Sequence, residues 1–218
     1  MLCSCDLSGG LGHYGLVMVI DPAMSSAAPE DDVRLAAACA DGDREAQRTL
    51  FRTYRDRVHA TLYRIMGSNR DMEDLVQDVF LQVYRSIHSY RGDARLGTWI
   101  SRITTRVAFA YLSRRGPGTV TLEAVPDPVA ATPSAERQAV AREAMRRLYG
   151  VLERIETKQR IAFSLHAIDG RSIREVAEMT GASVTATKTR IWRARKEIDK
   201  RAGKDPLLAS FLKKENGA

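Results

Sequence analysis

Apolar residues recur at helical spacing through most of this chain, and one segment rich in proline and glycine interrupts them. In the clearest stretch the apolar side chains advance by alternating steps of three and one residues: Met72, Leu75, Val76, Val79, Phe80 and Val83. A stripe of this kind predicts a helix with one buried face. Runs of alternating β-branched and aromatic residues, which would indicate a β-sandwich or barrel, do not recur along the sequence. The pattern therefore predicts an all-α fold.

The interrupting segment, residues 116–135, contains four prolines and two glycines and is typical of a flexible linker. We expect it to join two small helical domains, residues 31–115 and residues 136–204. A disordered N-terminal tail (1–30) and a C-terminal tail (205–218) would flank them. The C-terminal tail carries an apolar patch that could pack back onto a domain. Because 44% of the residues are apolar, the chain can bury a core, which excludes wholesale disorder.

Cysteine content and hydropathy indicate the compartment. Three cysteines are an odd number, which argues against a disulfide scaffold and fits a reducing compartment. No stretch approaches the roughly 20 apolar residues of a membrane-spanning helix. No Lys or Arg precedes Arg34 to begin a signal peptide, although Met18 and Met24 are alternative starts. Cys3 and Cys5 lack the second ligand pair of a zinc site. We therefore expect a cytoplasmic protein without metal, cofactor or membrane insertion.

Charge is distributed unevenly around a net value of +7. Residues 1–90 carry 9 Arg and 13 acidic residues, whereas residues 91–115 carry 6 Arg and a single acid. Residues 136–218 carry 19 basic and 11 acidic residues. Basic surfaces favour polyanions, of which DNA is the most common, so the two basic segments indicate nucleic-acid binding.

The basic C-terminal part contains the pattern of a helix-turn-helix. Ser172 and Glu175 form a capping box that starts a short helix, Gly181 ends it, and Ser183 can cap a longer helix that runs to about Arg201. An inward stripe is predicted on the longer helix for Val184, Thr187, Ile191, Ala194 and Ile198. The opposite face mixes hydroxyls, cations and one aromatic ring, which suit phosphates and base edges in a major groove: Thr185, Lys188, Thr189, Trp192, Arg193 and Lys196.

The first part contains a polar helix face and a basic one. Asp43 is expected to cap a long helix that ends near Gly67. Opposite the apolar stripe of the next helix lie Asp71, Asp74, Gln77 and Asp78. Carboxylates on one face could hold a metal ion in an enzyme that acts on phosphates, but no second acidic cluster or histidine pair accompanies them. A further helix places Trp99 in its apolar stripe, with Arg95, Arg102 and Arg106 on its other side.

Two stretches carry a family resemblance. Residues 71–115 contain Asp-Leu-Val-Gln-Asp-Val-Phe at 74–80 and Tyr-Arg-Gly-Asp at 90–93, followed by Thr98-Trp99. Residues 158–198 contain Lys188-x-Arg190-x-x-Arg193-Ala194-Arg195. In this combination and order, the stretches resemble the second and fourth conserved regions of bacterial RNA polymerase sigma factors of the extracytoplasmic-function (ECF) type, within the sigma-70 superfamily. The resemblance covers about residues 33–201.

The resemblance implies a non-enzymatic transcription initiation factor with two helical domains. It implies binding to core RNA polymerase and direction of the polymerase to promoters through their −10 and −35 elements. The implied partners are the clamp helices of the largest catalytic subunit, the flap of the second-largest subunit, promoter DNA and an anti-sigma factor. The competing interpretation is a stand-alone helix-turn-helix regulator that binds operators as a dimer. It accounts for residues 136–201 and leaves the motifs of residues 71–106 without a role.

The resemblance also assigns roles to individual residues. It implies contact with core polymerase for Asp74, Gln77 and Asp78, and contact with the −10 element for Tyr90, Arg91, Asp93, Arg102 and Arg106. Contact with the −35 element is expected for Thr185, Lys188, Thr189, Arg190, Trp192 and Arg193. Arg106 stands where the family usually has Asn, and its guanidinium would favour a phosphate or a guanine edge. The alternative for Tyr90 and Asp93 is a structural role, with Asp93 capping the next helix.

Overall fold

The computed structural model describes residues 29–115 and 135–215, and within those ranges the secondary structure is helical. The first half forms four helices: α1 (Pro29–Ala40), α2 (Arg44–Met66), α3 (Met72–Ser86) and α4 (Leu96–Arg115). The second half forms α5 (Ala135–Leu152), α6 (Thr157–Phe163), α7 (Ile173–Thr180), α8 (Val184–Ala202) and α9 (Pro206–Glu215). The all-α prediction is confirmed. The predicted N-terminal tail up to residue 28 and the predicted linker from 116 to 134 lie outside the described residues.

Capping residues set the helix boundaries as the sequence predicts. The Asp43 carboxylate accepts hydrogen bonds from two N–H groups of the first turn of α2, and Gly67 ends that helix with a φ of 74°. Ser172 begins α7 with a complete capping box, and Gly181 ends it with a φ of 62°. The Ser183 hydroxyl then accepts from Ala186 N at 3.1 Å to begin α8. The helix-turn-helix is therefore formed by α7 and α8.

The predicted apolar stripes are buried except near helix ends. The whole stripe of α3 is buried, as are Thr187, Ile191, Ala194 and Ile198 on α8. Val184 is an exception: it is the first residue of α8 and is exposed. On α4, Trp99 is half-buried rather than a full core residue. Side chains near either end of a helix extend beyond the elements that pack against it. They can therefore be exposed although they continue the apolar stripe of the sequence.

One apolar core runs through both halves of the chain. Leu50, Val79 and Ile103 of the first half share a cluster with residues of α6, α7 and α8, among them Ile161 and Val176. The second half thus packs directly against α2 and α4. A smaller cluster lies beneath α5 and α9; it includes Tyr149, Phe163, Ile198 and Leu208. Burial of Leu208 shows that the C-terminal segment does pack back onto the second half.

None of the helices formed by residues 29–115 and 135–215 has the length and apolar character needed to cross a bilayer.

Candidate core-polymerase and nucleic-acid interfaces

The polar face of α3 is exposed where the sequence places it. Asp74, Gln77 and Asp78 are all exposed, and they lie opposite the buried stripe of the same helix. Leu81, one turn further, is 44% exposed on the same face. Sequence reasoning missed Leu81, although its spacing of three from Asp78 and four from Gln77 would have placed it on this face. The structure therefore brings the three predicted residues together around an apolar side chain.

Asp71 departs from this polar face. It precedes α3 in the left-handed region, with a φ of 55°, which Asp tolerates better than most residues. Its carboxylate accepts a hydrogen bond from the Tyr111 hydroxyl at 2.6 Å and pairs with Arg115. Burial and this hydrogen bond raise the pKa of Tyr111 to about 12, so the hydroxyl stays a donor. Asp71 thus ties the start of α3 to the end of α4.

Of the acidic residues that the enzyme interpretation would use, Asp71 is thus engaged by Tyr111 and Arg115. Across the part of the chain that the structure describes, no group of three or more His, Cys, Asp or Glu side chains could hold a metal ion.

The loop between α3 and α4 is held by contacts of Tyr90 with neighbouring residues and by a contact from α1. The Tyr90 hydroxyl donates to Ala94 O at 2.7 Å, and its half-buried ring meets Trp99 edge-on with 5.8 Å between centroids. Arg91 and Asp93 are exposed. The loop therefore presents the charged side chains of Arg91 and Asp93 beside a tethered aromatic ring.

The cap of α4 comes from α1. The buried Asp32 carboxylate accepts a hydrogen bond from Leu96 N at 2.8 Å, across 64 residues of sequence. The alternative in which Asp93 caps this helix is therefore wrong. A cap supplied from so far along the chain left no local pattern that sequence reasoning could have found.

The basic face of α4 meets the helix-turn-helix. Arg102 Nε donates to the backbone oxygen of Glu178 on α7 at 3.1 Å. Arg102 and Arg106 line an open groove of about 710 Å³ together with α7, including Arg174, and the turn that leads into α8. The two predicted −10 residues of α4 thus lie together, and they face the domain predicted to bind the −35 element.

The outer face of α8 is open to solvent. Thr185, Lys188, Thr189, Trp192 and Arg193 are exposed, and Arg190 is half-buried. Trp192 is 60% exposed, with the Lys196 ammonium 5.3 Å from its ring centroid. A cation held over an exposed ring forms a surface that can contact both phosphate and sugar. Five of the six predicted −35 residues are therefore available on one face of one helix.

Comparison with known proteins identifies the family of the chain. The model of Sigma-70 region 2 matches residues 50–117, and the model of Sigma-70, region 4 matches residues 145–198. Together the two matches cover more than half of the chain. The chain belongs to the sigma-70 family.

Relatives and solved structures place this sigma factor in the ECF type. It is 28% identical over 186 residues to the ECF RNA polymerase sigma-E factor of Haemophilus influenzae, covering 81% of this chain and 97% of the relative. It is 28% identical over 176 residues to the ECF RNA polymerase sigma-E factor of Escherichia coli K12, covering 77% and 91%. The structure of CnrH in complex with the cytosolic domain of CnrY is similar with a TM-score of 0.55 and 26% identity, covering 80% of this chain and 98% of CnrH.

A more distant structure shares the fold alone. The sigma factor RpoE from Bartonella quintana, solved with the anti-sigma factor NepR, superimposes with a TM-score of 0.50 and 20% identity, covering 76% of this chain and 96% of that one. As an ECF sigma factor the protein is a transcription initiation factor and not an enzyme. The interpretation as a stand-alone operator-binding regulator is not favoured, since region 2 accounts for the motifs that it leaves unused.

Proposed function

We propose that this sigma factor binds core RNA polymerase through the exposed face of α3 and opens and reads promoters through α4 and α8. The observation that carries the proposal is the division of exposed charge between these helices. The α3 face presents carboxylates, whereas the outward faces of α4 and α8 present arginine and lysine. A protein that must bind both a protein surface and DNA needs such a division, because DNA repels an acidic face and attracts a basic one.

The α3 face fits a protein partner. Asp74, Gln77 and Asp78 have no role in burying the core, and Leu81 places an apolar side chain next to them. An apolar anchor surrounded by polar groups is the usual composition of a protein interface, with the charges setting register and association rate. The clamp helices of the largest polymerase subunit are the partner that the family implies for this face.

The α8 face fits duplex DNA. In a helix-turn-helix the first turns of the second helix approach base edges, which places Thr185, Lys188 and Thr189 nearest the bases of the −35 element. Arg193 and the Trp192–Lys196 pair lie further along α8, where they can contact sugar and phosphate. The flap of the second-largest polymerase subunit is the protein partner that the family implies for the domain that carries α8.

The loop and α4 fit a single strand. Arg102 and Arg106 supply cations for the phosphates of the −10 element, and Arg91 adds a third at the loop. The Tyr90 ring, fixed by its hydroxyl, offers an exposed portion against which an unstacked base can pack. Extruding a base costs a few kcal/mol, so a preformed surface of this kind favours strand opening.

Family membership also supports an anti-sigma factor as a further partner. It supports the cytoplasm as the location, because core polymerase acts there. CnrH was solved with the cytosolic domain of CnrY.

Run-off transcription tests the proposal. Core polymerase alone should give no discrete transcripts from genomic DNA fragments, and adding the purified chain should give a defined set of start sites. The chain alone should bind duplex DNA weakly. A strong shift of duplex DNA by the chain alone, together with no new transcripts, would instead support the operator-binding regulator.

A further inference from the structure

An open groove between α2 and α3 contains none of the residues predicted to contact polymerase or promoter. It encloses about 360 Å³ and is lined by Arg44, Gln47, Arg48, Phe51, Arg52 and Tyr84. All three arginines are exposed, and the two aromatic side chains are half-buried. We refer to this surface as the α2 groove.

The arginines of the α2 groove form a row. They follow one another at intervals of four residues, so about 6 Å separates successive positions along one side of α2. Arg48 pairs with Glu45 at 3.3 Å, but both side chains are exposed and the ion pair is therefore weak. In the part of the chain that the structure describes, no carboxylate forms an ion pair with Arg44 or Arg52. The row therefore offers its guanidinium groups to an anionic partner.

Two fixed aromatic rings border the row. Phe51 packs against Phe80 with 4.6 Å between ring centroids, and the Phe80 centroid lies 6.2 Å from that of Tyr84. The Tyr84 hydroxyl donates to Gln47 O at 2.9 Å, and burial raises the pKa of Tyr84, so the hydroxyl remains a donor. Part of the Phe51 and Tyr84 side chains stays accessible. Because these rings are already ordered, a base can pack against them with little further loss of side-chain entropy.

Cations in a row beside aromatic rings are the composition of single-strand binding sites, where arginines contact phosphates and rings stack on bases. The spacing of about 6 Å exceeds the roughly 3.4 Å between successive phosphates along one strand of a duplex, and it suits a strand lengthened by unstacking. We propose that the α2 groove binds a single-stranded segment of nucleic acid, either DNA of an opened promoter or RNA. This surface is separate from α4 and the loop before it, and the roles proposed for α3, α4 and α8 do not depend on it.

An acidic protein segment is the other partner that a row of arginines attracts. The α3 face has an exposed aliphatic anchor in Leu81, which suits a protein interface. Among the described residues that line the α2 groove, none is aliphatic. A nucleic-acid strand also carries a phosphate on every nucleotide, so it can meet all three arginines in any register, whereas a protein needs carboxylates at matching positions. The groove therefore favours nucleic acid.

Fluorescence anisotropy of the full-length protein with fluorescein-labelled oligo(dT) and oligo(U), each of about 12 nucleotides, tests the groove. Every protein in the comparison carries Arg102→Ala and Arg106→Ala, which removes the two cations of α4. The groove variant adds Arg44→Ala, Arg48→Ala and Arg52→Ala. The matched control instead adds three exposed substitutions outside α2 and α3 that remove the same charge: Arg154→Ala, Lys200→Ala and Lys204→Ala.

The groove variant should bind both oligonucleotides at least severalfold more weakly than the matched control does. The slope of log affinity against log salt should fall by about 2, because three phosphate contacts with single-stranded nucleic acid are lost at about 0.7 each. Phe51→Leu keeps an apolar side chain but removes the ring, so it should weaken binding without changing that slope. Tighter binding of oligo(dT) would identify DNA as the strand, and tighter binding of oligo(U) would identify RNA.

Crosslinking of the wild-type protein locates the contact without any substitution. Irradiation with an oligonucleotide that contains 5-iodouracil should yield crosslinked peptides that contain Phe51 or Tyr84. Crosslinks confined to peptides outside residues 44–52 and 80–84 would overturn the proposal.

Two results with the variants would also overturn it. The first is equal oligonucleotide affinity and equal salt slope for the groove variant and the matched control, with both folded by circular dichroism. The second is weaker binding of the groove variant to core polymerase with unchanged oligonucleotide affinity, which would assign the α2 groove to a protein partner. None of these measurements uses transcription, so a failure of the run-off assay would count against the proposed function alone.

Discussion

Neighbouring residues on α8 point in opposite directions, and this decides which of them can touch DNA. Lys188 and Arg193 are exposed, while Thr187 and Ala194 next to them are buried. Lys188→Ala should weaken DNA binding by holoenzyme across sequences and reduce the slope of log affinity against log salt by about 1, because one phosphate contact is lost. Filter binding at several salt concentrations measures this.

Arg193→Ala should act with Lys188→Ala to lower transcription from a promoter that depends on its −35 element. The exposed Lys200 and Lys204, near and beyond the end of α8, provide a matched control, since their double replacement by Ala removes the same two charges far from the first turns. Normal transcript levels from the double variant would remove these two residues from the −35 contact.

A second prediction at this scale concerns Asp32. Asp32→Ala removes the cap of α4 and leaves Leu96 N without its partner in a buried position, which should lower the free energy of unfolding by about 1–3 kcal/mol. Urea denaturation measures the loss, and faster hydrogen exchange at Leu96 N locates it. The adjacent Asp31→Ala should change stability little, because Asp31 forms only an exposed pair with Arg34. Equal effects of the two substitutions would contradict the capping role.

At the scale of an element, α3 separates a folding face from a binding face. Reversing Asp74 and Asp78 to Lys should leave helicity unchanged, since neither residue is buried, but should weaken binding to core polymerase at least severalfold. Co-elution with core polymerase on size exclusion measures the affinity. Asp41→Lys with Asp56→Lys changes net charge equally on exposed positions outside α3 and serves as the control. Equal affinities for the two double variants would assign the core contact elsewhere.

The loop and α4 form the element that should open DNA. Tyr90→Ala combined with Arg106→Ala should leave core binding and the closed promoter complex intact but reduce permanganate reactivity of thymines in the −10 region. Tyr90→Phe keeps the ring and loses the hydroxyl bond to Ala94, so it separates base packing from loop tethering. Arg114→Ala removes a cation from the far end of α4 as a control. Wild-type reactivity in the Tyr90→Ala, Arg106→Ala variant would assign strand opening to other residues.

Elements governed by neighbours in sequence were predictable, whereas those governed by distant contacts were not. The capping box at Ser172 and the cap at Asp43 use residues two or three positions away, so the sequence displays them directly. Asp71 appeared to extend the acidic face of α3, but its partner Tyr111 is 40 residues away. Arg160 appeared to be an ordinary charged residue, and only the tertiary packing shows it buried against the carbonyls of α2.

For the whole molecule, two helical halves were predicted but their docking was not. The apolar residues of α6, α7 and α8 fit the hydrophobic pattern of a separate small domain equally well. In the structure some of them, such as Ile161 and Val176, also join the core of the first half. A hydrophobic pattern shows which face is buried and does not show whether the covering surface belongs to the same domain.

Opening of the whole molecule can be followed by energy transfer. With other cysteines replaced, fluorophores on Ser113→Cys of α4 and Glu178→Cys of α7, both exposed, should show high transfer in the free protein. Transfer should fall when the protein joins core polymerase on a promoter. The −10 and −35 elements that the two halves bind lie about 25 base pairs apart by their names, which is roughly 85 Å at 3.4 Å per base pair. Addition of core polymerase without DNA distinguishes opening by the polymerase from opening by the promoter. Unchanged transfer in the promoter complex would contradict separation of the halves.

Gly67 has a consequence for how chains of this kind can diverge. The residue satisfies two separate demands, the left-handed end of α2 and the close approach of the Tyr149 ring from the other half. A mutation to Asn or Asp meets the first demand and violates the second unless position 149 becomes smaller at the same time. We therefore expect positions 67 and 149 to vary together among related chains, although 82 residues of sequence separate them, and a lineage in which the two halves do not pack together here would be free to vary both.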